Sequence, residues 1–163
     1  MFFLFTLGNK ILLCCDGAAR KNPGEAGYGF IGRESAGVVL IAEAGGIWIA
    51  PNYMANFFAI INACEWAISK GLLQVCIITD SPAALNSLIN KRVPWYVQTR
   101  WNKIISTLVS YEFIHSYREV NFSADELSKM GATLMRGEKR TFLRKPSFLI
   151  SLEQPDKIYY RFV

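Results

Sequence analysis

The sequence predicts a mixed α/β domain, a single sheet that is partly antiparallel and partly parallel, with helices on its faces. Three observations lead there. Three strand-like runs follow one another at the start of the chain with only short turns between them. After them, apolar strands alternate with helical stretches, the pattern of parallel crossovers. The chain has 163 residues, 52% of them hydrophobic, enough for one domain with a buried core and too apolar for a disordered segment.

Each element can be justified in turn. Ile11–Cys15, "ILLCC", reads as a buried strand ending at Asp16. Gly27–Arg33 and Val38–Gly45 read as two more, set apart by the turn signals Asn22-Pro23-Gly24 and Ser35-Ala36-Gly37, and the three together suggest an antiparallel meander. Asn52–Lys70 is a helix by length and composition. Its polar residues Asn62, Glu65 and Ser69 fall on one stripe that is expected to be exposed, while Asn56, in the first turn, projects away from that stripe toward the sheet. Gln74–Thr79 is a short buried strand ending at Asp80; Ser81 can cap the following helix, with Pro82 at its first position, running to about Asn90. Trp95–Ser110 is an amphipathic helix, Glu112–Tyr117 a last strand, and Phe122–Ala132 a last helix with Asp125 near its start. Three parts follow: an atypical N-terminal segment at 1–10, the folded domain at 11–135, and a basic tail at 136–163 expected to lie outside the sheet.

Charge and cysteines narrow the function classes. The net charge of +5 is concentrated in the tail, which holds seven basic and three acidic residues, against eleven and ten in residues 1–135. A basic tail favours polyanionic partners, though the nearly neutral body weakens that inference. Cys14, Cys15, Cys64 and Cys76 form no C-x-x-C pair and sit in apolar runs, so they read as free thiols of a reducing compartment. The opening "MFFLFTLGNK" is too short to span a bilayer and lacks the features of a cleaved leader. The expectation is an intracellular protein, nuclear or cytoplasmic, monomeric and not bound to a membrane.

Asp16 and Asp80 both follow buried apolar runs, and Asp125 opens a late helix. An Asp after a strand is often only a turn former. Three of them at element ends suggest a carboxylate cluster, which repels itself unless a cation is present. Hard oxygen ligands select Mg²⁺ or Mn²⁺. "GYGFIG", Gly27 to Gly32, formally matches a dinucleotide fingerprint, but it lies inside a strand, where glycines fit close backbone approach. Phe57, Phe58 and Trp66 read as core at helical spacing. Trp95 and Trp101 are either core or the lining of a nucleic-acid channel. Arg118 and Asn121 are placed to fix the loop before the last helix.

"DGAARKNPGEAGYGF", "TDS" and "HSYREVNFSADELSKMGA" resemble the ribonuclease H type 1 superfamily, most closely its plant retroelement-like branch. That branch opens roughly D-G-A-x-x-x-N-P-G-x-A-G-x-G and closes roughly H-x-x-R-E-x-N-x-x-A-D-x-L-A-K. The similarity runs from about Leu12 to Ala132. It implies a ribonuclease H-like three-layer fold with a five-stranded mixed sheet in the order 3-2-1-4-5. It also implies four carboxylates that bind two Mg²⁺ (or Mn²⁺) ions about 4 Å apart and hydrolyse the RNA strand of an RNA–DNA hybrid. Asp16, Asp80 and Asp125 match the first, third and fourth of these, with Asp16 bridging both ions.

The second position departs from the pattern. The family helix commonly starts T-N-N-x-A-E-x-x-A, whereas this chain reads "PNYMANFFA", with Asn56 where the Glu belongs. By resemblance that Glu binds the leaving-group metal and touches a ribose 2′-hydroxyl. Asn56 offers only a neutral amide oxygen, so the second ion is expected to bind weakly. Glu65, nine residues on, lies on the wrong stripe to replace it. His115, the only histidine, has two readings: an aid to product release or proton traffic, or a half-exposed strand residue. Arg20, Lys21, Asn22 and Ser81 are candidate nucleic-acid contacts, with a solvated turn as the alternative for the basic pair. Two functions follow, a metal-dependent nuclease acting on RNA–DNA hybrid, or an inactive domain that binds nucleic acid (hybrid or structured RNA) or serves as a scaffold.

Overall fold

The structure, a computed structural model, describes residues 10–116, 121–144 and 146. Strand β1 (Ile11–Ala19) is the centre of the sheet. Its run of Ile, Leu and Cys is apolar on both faces, as a strand covered on both sides requires. β2 (Gly24–Arg33) returns antiparallel to it, and β3 (Val39–Ala50) antiparallel to β2. Helix α1 (Asn52–Ser69) then crosses to β4 (Gln74–Thr79), which pairs parallel to β1, and α2 (Pro82–Ile89) follows. A single 3₁₀ turn at Trp95–Val97 leads into α3 (Gln98–Thr107), so the helix expected from Trp95 begins in tighter form. β5 (Ser110–His115) pairs parallel to β4, and α4 (Phe122–Gly131) closes the expected series.

The element order and the 3-2-1-4-5 arrangement are those expected, with one strand more. Lys139–Phe142 forms β6, antiparallel to β3 at the sheet edge, giving the order β5-β4-β1-β2-β3-β6. Part of the supposed tail is therefore sheet. Glu43 supplies a reason: it is a buried carboxylate on β3 that accepts from the Tyr28 hydroxyl at 2.8 Å and from Thr141 Oγ1 of β6 at 3.2 Å. A buried charge needs such donors. Burial first, and then the Glu43 carboxylate, hold the Tyr28 hydroxyl far above its ordinary pKa. The expectations for residues 1–9, Arg118 and residues 147–163 lie outside the described residues.

Two layers cover the sheet. α1 lies on one face, over Leu13, Cys15, Tyr28 and Phe30, with α3 behind it. Fully buried Phe30, Phe57, Ile60 and Ile61 each contribute on the order of 2 kcal/mol here. Phe57 and Trp101 are core, whereas Trp95 is 86% exposed. Glu65 is only half-exposed, because α3 covers its stripe and Arg100 grips it through two hydrogen bonds of 2.9 and 2.6 Å. α4 lies on the other face, where Gly27 and Gly29 of β2 meet it backbone to backbone. A Cβ at Gly29 would stand 2.4 Å from Ser128 N and 2.5 Å from Leu127 Cβ. The Gly-rich stretch is thus a helix-packing surface. All four cysteines are free thiols, three of them buried. No helix among the described residues is long and apolar enough to cross a membrane.

Two measurements check this packing. Gly29→Ala is expected to cost about 1–3 kcal/mol in urea unfolding, because α4 must move to admit the methyl group. Truncation after Met135 is expected to cost about 2 kcal/mol or more in the same assay, since it removes β6 and the Thr141 donor to Glu43.

Candidate functional site

β1 does not stop at Cys15, as the apolar run suggests. Its parallel pairing with β4 ends at Cys15↔Thr79, but its antiparallel pairing with β2 continues through Asp16↔Gly29 to Ala19↔Ala26. Asp16 therefore sits inside a strand, at the level where β4 has ended and Asp80 begins its departing turn. Strand alternation sends its side chain to the α4 face, as with Leu12 and Cys14, while Leu13 and Cys15 face α1.

Asp125 comes to the same place from α4. The buried Asn121, just before that helix, does not cap it; its Nδ2 instead donates to Cys15 O at 3.1 Å, tying the helix start to the residue before Asp16. Asp125 lies in the first turn of α4, where the helix dipole favours a carboxylate. Its Oδ2 pairs with Lys129 Nζ at 2.9 Å, one turn on. Lys129 is the final lysine of the closing motif, which alone gives it no role; its i+4 spacing from Asp125 was the signal for a place at this site.

Asn56 approaches from the α1 side. Gly17 N–H donates at 2.9 Å both to Asp16 Oδ1 and to Asn56 Oδ1. Asn56 is buried and faces the strand end, as its helical phase predicts. The approach depends on Gly17: a Cβ there would stand 2.3 Å from Ala55 C and Asn56 N.

These placements set the electrostatics. Burial, then the Asp80 carboxylate, then a hydrogen bond and charge from Asp125 push the Asp16 carboxyl up to about 8; the Gly17 N–H opposes them. Asp16 therefore lies beside both Asp80 and Asp125. They do not form a closed cage: among the described residues no three His, Cys, Asp or Glu side chains stand where they could hold a metal ion together. The donor chemistry suits a hard divalent cation, whose charge would relieve the repulsion that Asp16 feels.

The remaining candidates lie around this end of the sheet. His115 is the exposed last residue of β5, opposite Thr79. Ser81 caps α2, its Oγ accepting from Ala84 N at 3.1 Å. Asn22 Oδ1 accepts from Asn52 N at 3.1 Å and so braces the start of α1. Arg20 pairs with Glu25 at 3.2 Å in the exposed β1–β2 turn, beside exposed Lys21. Ser81 and Asn22 thus already have structural partners.

The raised Asp16 pKa has a testable sign. Between an unfolded value near ~4 and the folded value of about 8, the native state holds a proton that the unfolded chain has lost, so stability falls as pH rises. In EDTA the melting temperature is expected to drop between pH 5 and pH 8, the unfolding free energy falling by at most about 1.4 kcal/mol per pH unit. Asp16→Asn is expected to flatten that slope, and Mg²⁺ to raise the melting temperature more at pH 8 than at pH 5.

The fold is shared with known enzymes. The ribonuclease H1 of the halophilic archaeon Halobacterium salinarum aligns with a TM-score of 0.70 at 23% identity, over 76% of this chain and 97% of that one. LC11 ribonuclease H1, isolated from compost by a metagenomic approach and solved with an RNA/DNA hybrid, gives 0.68 at 27% identity, over 76% and 96%. Prototype foamy virus protease–reverse transcriptase gives 0.63 at 21% identity; the match covers 77% of this chain and 21% of that longer one. A search of curated proteins finds no match. The sequence itself matches the reverse transcriptase-like family over residues 14–131, from β1 to the end of α4. The strand order, the helix placement and that match agree: the chain belongs to the reverse transcriptase-like family and has its ribonuclease H-like fold.

Proposed function

We propose that this domain binds RNA–DNA hybrid and hydrolyses its RNA strand at Asp16, Asp80 and Asp125, slowly, because Asn56 stands where the family has a fourth carboxylate. The observation that carries this reading is that Asp80 and Asp125 approach a buried Asp16, so that burial first and then their charges push its carboxyl up to about 8. Such an arrangement is costly to a fold and is a common mark of a site built to take a cation. The opening and closing motifs favour an origin in the retroelement-like branch, and the LC11 relative solved with a hybrid suggests the substrate class.

In this reading Asp16, Asp80 and Asp125 would hold Mg²⁺ or Mn²⁺, which supplies a Lewis acid and an activated water for in-line phosphodiester hydrolysis. The chain's own groups do the rest. Gly17 N–H orients the Asp16 carboxylate. Lys129 balances part of the charge at Asp125. Asn56, its Oδ1 committed to Gly17 N–H, adds no negative charge, so a second cation binds weakly. His115 and the β1–β2 turn, with Arg20 and Lys21, stand at the same end of the sheet to meet the scissile strand and its phosphates.

A second reading rests on a specific observation, that the three carboxylates do not close into a cage. In it the domain binds nucleic acid without cutting it. Cleavage of a labelled RNA–DNA hybrid decides. The wild-type chain is expected to cut slowly with Mg²⁺ and somewhat faster with Mn²⁺. Asn56→Glu is expected to raise Mg²⁺-dependent cleavage about a hundredfold or more, and Asp16→Asn in that background to abolish it. An Asn56→Glu protein that binds hybrid yet stays inert would give the site to the binding-only reading.

A further inference from the structure

A second feature at the same end of the sheet has no role in the carboxylate site. Between Ala26 and Gly27 the β2–β3 register breaks: Ala26 pairs with Trp48 but Gly27 with Gly46, leaving Ile47 as an extra residue. Just past this bulge Trp48 has φ 96°, a strained backbone for a bulky side chain, and the residue is 60% exposed. A large apolar ring is thus held out into solvent by a conformation that glycine would adopt with less strain.

The ring has a built neighbour. Arg136 Cζ lies 5.7 Å from the indole centroid, in cation–π range. Arg136 is beyond the family match at 14–131, yet its backbone is fixed. It bridges to Gly46, Gly137 N–H donates to Gly46 O at 3.1 Å, and Gly46 N–H donates to Glu138 O at 2.9 Å. Gly46 must be glycine for this, since a Cβ there would stand 2.2 Å from Met135 O. Lys139 lines the same cleft of about 420 Å³ as Trp48 and Arg136, and Glu138 spends Oε1 on Met135 N–H.

We infer that Trp48, Arg136 and Lys139 form a stacking platform for an unpaired nucleotide that flanks the duplex at the carboxylates, an inference that rests on the nucleic-acid reading above. An exposed ring beside cations suits a base with its phosphate. A base inside a duplex is already stacked on its neighbours, so only an unpaired one is free to use the ring. The location fits. Trp48 is two strands from β1, about 10 Å across, and three residues further along than Asp16, about 10 Å more. The resulting offset, near ~14 Å, is roughly four base steps of 3.4 Å.

Anisotropy titration of the full chain tests this, using blunt RNA–DNA hybrid and the same hybrid carrying a single-stranded extension of about six nucleotides on each end in turn. Trp48→Gly removes the ring and relieves the backbone, so it keeps the fold. Wild type is expected to bind one extended hybrid about tenfold more tightly than the blunt one. Trp48→Gly is expected to lose that advantage and leave blunt affinity unchanged, Trp48→Phe to keep part of it, and Trp95→Ala, also exposed, to keep all of it. Equal wild-type affinity for blunt and extended hybrids overturns the platform, and so does an equal loss in Trp95→Ala. Self-association that disappears in Trp48→Gly overturns it in favour of a second copy of this chain. If wild type ignores blunt hybrid but binds the free single strand in a Trp48-dependent way, the platform stands and the hybrid reading fails.

Discussion

At Gly17 a strand and a helix meet with no side chain between them, and one N–H serves both Asp16 and Asn56. That contact positions the first turn of α1 against β1 and orients the Asp16 carboxylate. Neighbouring bonds extend it: Asn52 Oδ1 accepts from Ala19 N at 2.8 Å, and Asn22 Oδ1 from Asn52 N. On the other face Gly27 and Gly29 let α4 settle directly onto β2, which brings Asp125 to the level of Asp16. Asp125 reaches Asp16 because α4 meets β2 at glycines, and Asn56 reaches it because α1 meets β1 at Gly17. A larger residue at Gly27 or Gly29 would hold α4 off the sheet and draw Asp125 away from Asp16, and one at Gly17 would displace Asn56.

Convergence has an electrostatic cost. Two unit charges 4 Å apart repel by about 4 kcal/mol at an effective dielectric near 20. A neutral hydrogen bond contributes about 1 kcal/mol net. Hydrogen bonds such as the one from Gly17 therefore cannot by themselves hold three ionised carboxylates together. A proton or a cation has to do so. The proton is the default at Asp16, whose carboxyl titrates only at about 8. Lys129 is the fixed counter-charge on the Asp125 side. Fold stability and cation affinity are thus two expressions of the same repulsion.

Much of this was legible in the sequence, for identifiable reasons. β1 and β4 announce themselves because strands covered on both faces must be apolar throughout. α1 does so by length and phase, which also turn Asn56 toward the sheet. The misreadings occur where a local pattern yields to a distant partner. β1 continues past its apolar run because β2 keeps pairing with it through Ala19, after β4 has turned away. "KRTF" carries no strand signal of its own; it pairs because β3 offers an open edge and Glu43 needs a donor. Glu65 belongs to a polar stripe, but Arg100 on α3 covers it. Asn121, expected to fix the loop before the last helix, ties the start of that helix to Cys15 O, a partner visible only once the strand is beside it.

Asn56 combines these constraints. Its amide oxygen takes the Gly17 N–H that a carboxylate oxygen would also accept, so the strand–helix contact survives the loss of charge. What changes is the number of charges packed against Asp16. A glutamate there would bring a fourth carboxylate toward Asp16, and the domain would then lean more heavily on a proton or bound cations to stay folded. With Asn56 the structural half of the position is kept and that dependence is reduced. In the proposed reading, the shorter, neutral Asn side chain would also remove negative charge from where a second cation would be held, so less self-repulsion without metal and weaker metal binding would share one cause. A domain whose main task is to hold nucleic acid keeps the first and is indifferent to the second; a fast nuclease cannot be.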